Sequence, residues 1–319
     1  MKRTSAYQPG LAWFAALGSA WVFVLVTLGA FTTSIGAGMA FADWPLSNGS
    51  ANPTGWLSDI SMFAEHSHRL SGTTMGLIVI ALAFWLWRAE ERAWMRSLGW
   101  WALAIVIIQG VLGGTRVLLD PVHVPGFDMT LGQMLRIPHG VLAQVFVCVL
   151  VALSAGLSRP WIEGPSVASS RTRRLGAWCV VLLFVQLAVA ATMRHNYAGL
   201  AIRTFPWSTA EGGFLPAVWD FRVGLQFTHR VIAGVLGLAI AAYGHVLWRD
   251  PAVPRLFRWL GVGLVGLIAL QFSLGAQIIW TGRNAYVTTG HVVVGALTLA
   301  ITFLVTFFTY RGSVGTPRP

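Results

Sequence analysis

The chain has 319 residues, 55% of them hydrophobic and only 10% charged, with a mean hydropathy of +0.66. That profile excludes a soluble globular domain and describes a polytopic membrane protein whose principal partner is lipid. The net charge of +11 does not indicate nucleic acid, because the basic residues are not interleaved with aromatics in a polar groove.

Taken in chain order, apolar runs long enough to cross a hydrocarbon core of ~30 Å as helices fall at about 11–34, 62–88, 98–117, 134–157, 174–193, 223–248, 256–281 and 288–310. The N-terminal run is too long for the apolar region of a cleaved signal peptide and is read as the first span. Lys2, Arg3, Arg88, Arg92, Arg96, Arg159, Arg171, Arg173, Arg174, Arg249, Arg255, Arg258, Arg311 and Arg318 fall at alternate connectors and both ends. By the positive-inside rule these segments face the cytoplasm, which predicts a multi-pass plasma (inner) membrane protein with both termini inside. The opposite connectors carry Arg116, Arg136, Arg194, Arg203, Arg222 and Arg283 mixed with acids. Cys148 and Cys179 sit inside spans without metal spacing and read as packing groups, with no disulfide implied.

The two halves are copies. "GAGMAFADWPL" at 36–46 lies over "YAGLAIRTFPW" at 197–207, matching Ala37 to Ala198, Gly38 to Gly199 and Pro45 to Pro206 at an offset of 161. The same offset lays "EHSHRLSG" from 65 on "QFTHRVIAG" from 226, so that Glu65 meets Gln226, His68 meets His229 and Arg69 meets Arg230. One residue out of step, "QGVLGG" at 109–114 matches "QFSLGA" at 271–276. Four spans per copy preserve orientation, so the repeat is parallel, with a pseudo-two-fold axis along the membrane normal. The expected fold is an all-α integral membrane protein of eight transmembrane helices in two tandem four-helix bundles, residues 1–160 and 161–319. The first outer loop of each half, at 35–61 and 194–222, is long enough to cap a site.

Of eight histidines, His68, His139, His229 and His291 recur near the outer ends of the even-numbered spans, one pair per half. Polar groups within a membrane are costly and usually functional. Two imidazoles facing each other within one bundle suit the axial positions of a haem iron, and glycines such as Gly72, Gly76, Gly110, Gly113, Gly114 and Gly140 would open a flat slot. A di-iron bundle fits worse, because the one Glu-x-x-His has Gln226 in its repeat. Zinc would want four ligands at close spacing. His66 points away from His68 on the helix, toward the loop or a neighbour. His123 and His245 read as loop and inner-end residues, while His195 is open between loop packing and contact with a haem edge.

Glu65 shares a helical face with His68, whereas its counterpart is the neutral Gln226. It either complements the helix dipole or handles protons and stabilises charge over a reacting haem. The second reading makes one half catalytic and the other an electron relay. Arg69 and Arg230, one residue past a candidate ligand, either bind haem propionates or snorkel to the interface.

These motifs, together with "GAGMAFADWPLSNG", "RIPHG", "MRHNYAGLAIRTFPW" and "GHVVVG", resemble the heme A synthases, membrane enzymes of cytochrome oxidase assembly, over nearly the whole chain. The resemblance implies oxidation of a haem O ring methyl to a formyl by successive hydroxylations. It implies that His68 and His139 bracket the substrate haem, that Glu65 is the catalytic carboxylate, and that His229 and His291 ligate a resident haem b. Haem O would arrive from a haem O synthase, and the electron donor and any homo-oligomer stay open. Many bacterial relatives carry a cysteine pair in the first outer loop, where this chain has Phe41 and Ser47. The competing readings are a di-haem b-type electron carrier and a non-enzymatic haem-delivery factor; a transporter is disfavoured by the parallel repeat.

Overall fold

A computed structural model describes residues 3–164 and 169–311. Lys2 and Arg318, two of the basic residues assigned to the cytoplasmic side, lie outside the described residues. Among the described residues, eight helices are long and apolar enough to span a membrane: α1 (Pro9–Ser34), α2 (Ile60–Ala89), α3 (Ala93–Leu118), α4 (Leu131–Leu157), α6 (Ser170–His195), α7 (Phe221–Arg249), α8 (Arg255–Trp280) and α9 (Ala285–Thr309). All eight expected spans are present, most of them longer than expected because polar residues continue the first and last turns. The sequence reading missed α5 (Arg159–Glu163), a single turn capped by Ser158 in the connector between the halves. Its Trp161 stacks on Phe307 of α9 with ring centroids 4.4 Å apart.

Within each half the helices pack in a ring. Helix α1 contacts α2 and α4, and α3 contacts α2 and α4; likewise α6 contacts α7 and α9, and α8 contacts α7 and α9. The halves meet through α1 against α9, α4 against α6, and α4 against α9. Exchanging the halves maps this pattern onto itself, as a two-fold axis between α4 and α9 requires. These two helices are also the most buried of the eight.

The packed cores lie toward the inner ends. In the first half Leu11, Met75, Leu82, Leu86, Met95, Leu150 and Leu153 close the bundle, joined by Ala300 from α9. In the second, Cys179, Ile240, Tyr243, Leu247 and Leu264 do so. Both cysteines are free and buried, as small apolar groups. Apolar packing at the inner ends leaves the outer halves of both bundles for polar groups.

Candidate functional site

The four recurring histidines stand on the four helices that start, with side-chain caps, at the end of the bundles opposite the chain's N-terminus. Asp59 accepts from the backbone of Ser61 and Met62, Thr130 forms a capping box with Gln133, Asp220 accepts from Val223, and Asn284 accepts from Tyr286 and Val287. These caps satisfy orphan amides that would otherwise be costly at a helix start. His68, His139 and His229 each follow their cap by nine residues, and His291 follows by seven. At 1.5 Å per residue that is a depth of roughly 10–14 Å along each helix.

In the second half the rings of His229 and His291 have centroids 6.5 Å apart. Two imidazoles that each place a nitrogen about 2 Å from a shared metal have ring centres at a separation of this order. The pair lines a cavity of about 300 Å³ walled by apolar side chains such as Leu183, Leu236, Ile268, Phe272 and Leu299. In the first half His139 lies within electrostatic reach of His68. Nδ1 of His68, His139 and His291 is buried without a hydrogen-bond partner, whereas Nδ1 of His229 is 2.9 Å from the Gln186 amide.

Glycines seat the rings. A Cβ on Gly29 would lie 2.7 Å from Cε1 of His68, one on Gly113 3.3 Å from Cε1 of His139, and one on Gly275 3.4 Å from Cε1 of His291. Gly76, Gly110 and Gly140 face open space. Gly114 does not: the Trp44 indole from the outer loop rests on it, so it serves loop packing instead.

The carboxylate of Glu65 is buried, 1% exposed, beneath that loop. Its Oε2 accepts from the Phe41 amide at 3.1 Å and its Oε1 from Arg69 Nη2 at 2.7 Å. Glu65 stands beyond the first turn of α2, whose cap is Asp59, so the dipole reading does not account for it. Arg69 also donates to the carbonyls of Phe41, Asp43 and Leu46, which ties the loop down. The second half repeats this network at the same offset. Gln226 Oε1 accepts from the Ile202 amide, and Arg230 donates to the carbonyls of Ile202, Thr204 and Trp207. The peptide bonds Trp44–Pro45 and Phe205–Pro206 are both cis.

One connection differs. The Gly38 carbonyl accepts from Arg116 Nη1 at 2.9 Å, whereas the matching Gly199 carbonyl accepts from Gln226 Nε2 at 2.8 Å. The first half thus places a carboxylate and an extra guanidinium where the second uses one neutral amide. In the loop above, amides of Gly49 and Asn48 donate to Asp43 at 2.7 and 2.8 Å, and chiefly the Gly49 bond holds its carboxyl below the ordinary 3.8.

His66 packs under the loop, with Nδ1 3.0 Å from Ser47 Oγ and its ring edge-on to Trp56. Phe41 and Ser47 are both fully buried and fasten the loop by packing and this hydrogen bond. His195 ends α6 within electrostatic reach of His139, Arg116 and Arg136 of the other half. His123 and His245 are exposed.

Sequence reasoning missed several residues at the second cavity. Arg194 and Arg283 join Arg230 among its lining residues, which include no Asp or Glu. Gln144 reaches it from α4 of the first half, with its amide oxygen unpartnered. No intrahelical pattern marks these positions, since they depend on how two bundles meet.

The chain matches the COX15-CtaA family, described as Cytochrome oxidase assembly protein, over residues 12–303. It is 27% identical over 297 residues to the Heme A synthase of Halalkalibacterium halodurans, covering 88% of this chain and 91% of that protein. It is likewise 27% identical to the Heme A synthase of Geobacillus kaustophilus, covering 89% of this chain and 86% of the other. Identity to the Heme A synthase of Beijerinckia indica is 29%, over 80% of each chain.

Proposed function

The chain belongs to the COX15-CtaA family of cytochrome oxidase assembly proteins, and we propose that it is a heme A synthase, oxidising a ring methyl of haem O to a formyl through successive hydroxylations. Haem O, as substrate, sits in the first half between His68 and His139. His229 and His291 would hold a resident haem b in the second half, and that group would supply electron transfer to the first half. The spacing of those two rings and the apolar cavity between them support a haem fit.

One observation carries the assignment of chemistry to the first half. Gln226 holds its loop through the same backbone amide contact that Glu65 makes, so fastening the loop does not require a carboxylate. A buried charge is expensive to maintain, and its retention at 65 alone is explained by proton handling beside the substrate. Arg69 holds the carboxylate in place, and Arg116 adds a second cation within electrostatic reach. The outer loop, tied across Glu65 and seated by Trp44 on Gly114, excludes water from that side. At the second site Arg194, Arg230 and Arg283 form a cationic rim suited to the haem propionates; Arg69 is the corresponding group in the first half.

The basic residues at the inner ends of α2, α3, α6, α7 and α8 support an orientation with that face in the cytoplasm of a bacterial plasma membrane. Residues 1–160 then form the substrate half and 161–319 the haem b half, and a haem O synthase is the supplier of substrate.

Co-expression with a source of haem O, followed by extraction and chromatography of the bound haems, tests the reading. The parent protein is expected to yield haem A or its hydroxylated precursor. Glu65→Gln, which copies the second half, is expected to yield haem O and haem b. Haem b alone from both would instead indicate an electron carrier.

A further inference from the structure

The last turn of α6 connects the two halves at their outer ends. Arg194 lines the second cavity, yet its Nη2 donates to the Ala30 carbonyl at 3.2 Å and to Ser34 Oγ at 2.9 Å, both on α1 of the first half. Ser34 in turn donates to the same Ala30 carbonyl at 2.7 Å, which closes a three-membered cluster. The residue before Ala30 is Gly29, where His68 packs so closely that a Cβ would lie 2.7 Å from its ring. A chain of contacts therefore runs from the rim of one site to the ligand of the other.

Arg194 lies within electrostatic reach of Arg283, and Arg230 lines the same cavity. Three guanidiniums without an acid among the lining residues repel one another until an anion arrives, and the haem propionates supply that anion under the functional reading above. A guanidinium is planar and rigid, so a propionate that engages one edge displaces the opposite edge with it. For Arg194 the opposite partners are Ala30 and Ser34. We propose that Arg194 is a positioning residue that couples occupancy of the His229–His291 site to the seating of His68 through the end of α1. Filling the second site tightens the first, and by linkage the effect is reciprocal.

The inference rests on the two-haem reading, and the experiment separates their failures. Haem O is titrated by its Soret absorbance into the first site of the full-length protein under anaerobic conditions. The measurement is made once with the second site filled and once in His229→Ala/His291→Ala, where that site cannot hold iron. The expected affinity ratio is about tenfold in favour of the filled form. Arg194→Met should bring the ratio close to one. Ser34→Ala, which alters no residue lining the second cavity, should lower it partway, and the double variant should match Arg194→Met alone. Thr27→Ala, which removes a hydroxyl bonded only within α1, should leave the ratio intact.

A ratio of one in the parent overturns the coupling, as does an unchanged ratio in Arg194→Met with both sites loading. If Arg194→Met does not fold, an unchanged ratio in Ser34→Ala overturns it. A parent that takes up no haem at His229–His291, seen directly in its haem content, fails the functional reading first and this inference with it.

Discussion

At residue 65 a carboxylate replaces an amide, and the rest of the contact set is nearly conserved between the halves. Glu65→Gln should therefore preserve fold and haem content while lowering turnover by about 10²-fold or more, the range for loss of a positioned acid or base; product analysis of matched membranes measures it. The reverse change is not symmetric. Gln226→Glu loses the donor to the Gly199 carbonyl and gains no counterpart of Arg116, because the matching residue of α8 is Ile278. It should destabilise the second half by about 1–3 kcal/mol through an unsatisfied buried group, read as a lower melting temperature and weaker haem b retention. Asp43 offers a pH test outside the membrane. Its carboxyl titrates below the ordinary 3.8 in the folded loop, so its contribution is complete above pH 3.8 and is lost as pH falls through the lower folded value. Protection of the amides at residues 43–50, taken relative to their intrinsic exchange rate at each pH, should fall only in that acid range, and Asp43→Asn should remove the step. Glu65 and the four histidines were visible in the sequence because repetition aligned them, whereas Arg116 was seen only as a basic residue of an outer connector. Its partner, the Gly38 carbonyl, is a backbone atom that no side-chain pattern records.

Along each helix, glycine placement decides how near an imidazole comes to its neighbour. Gly29→Ala should disrupt seating of His68 and selectively lose haem from the first half, since the added methyl would meet the ring at 2.7 Å. Gly275→Ala, at 3.4 Å from His291, is expected to leave haem b bound with little spectral change. Low-temperature spectra of the two variants distinguish the outcomes. The helices themselves were legible: hydropathy and length located all eight spans, because in lipid a backbone must satisfy its own hydrogen bonds. Their first and last turns were not, since caps such as Asp59 and Asp220 extend helices into polar sequence. Helix α5 escaped because a single turn has no period to detect, and its place under α9 comes from Trp161 stacking.

For the whole molecule, the two bundles share a boundary that neither repeat encodes alone. Ala300 lies on α9 but belongs to the core of the first half, so Ala300→Leu should overpack that boundary and cost about 1–3 kcal/mol. Loss of thermal stability in both halves together, followed through both haem signals, would confirm that they unfold as one unit. Duplication made the bundle architecture readable from sequence, but the faces that join the copies had to be seen in three dimensions. The position of His229 along α7 has an electrical consequence. His229 stands about 13 Å below the start of α7, with roughly 30 Å of helix between it and the inner end. An electron drawn from the cytoplasmic face would cross most of the membrane voltage, worth about 2.3 kcal/mol per 100 mV for a full crossing, and an inside-negative potential would assist it. An electron delivered from the outer face would cross little of that field. In sealed vesicles, the dependence of turnover on imposed voltage therefore reports the side on which the reductant docks.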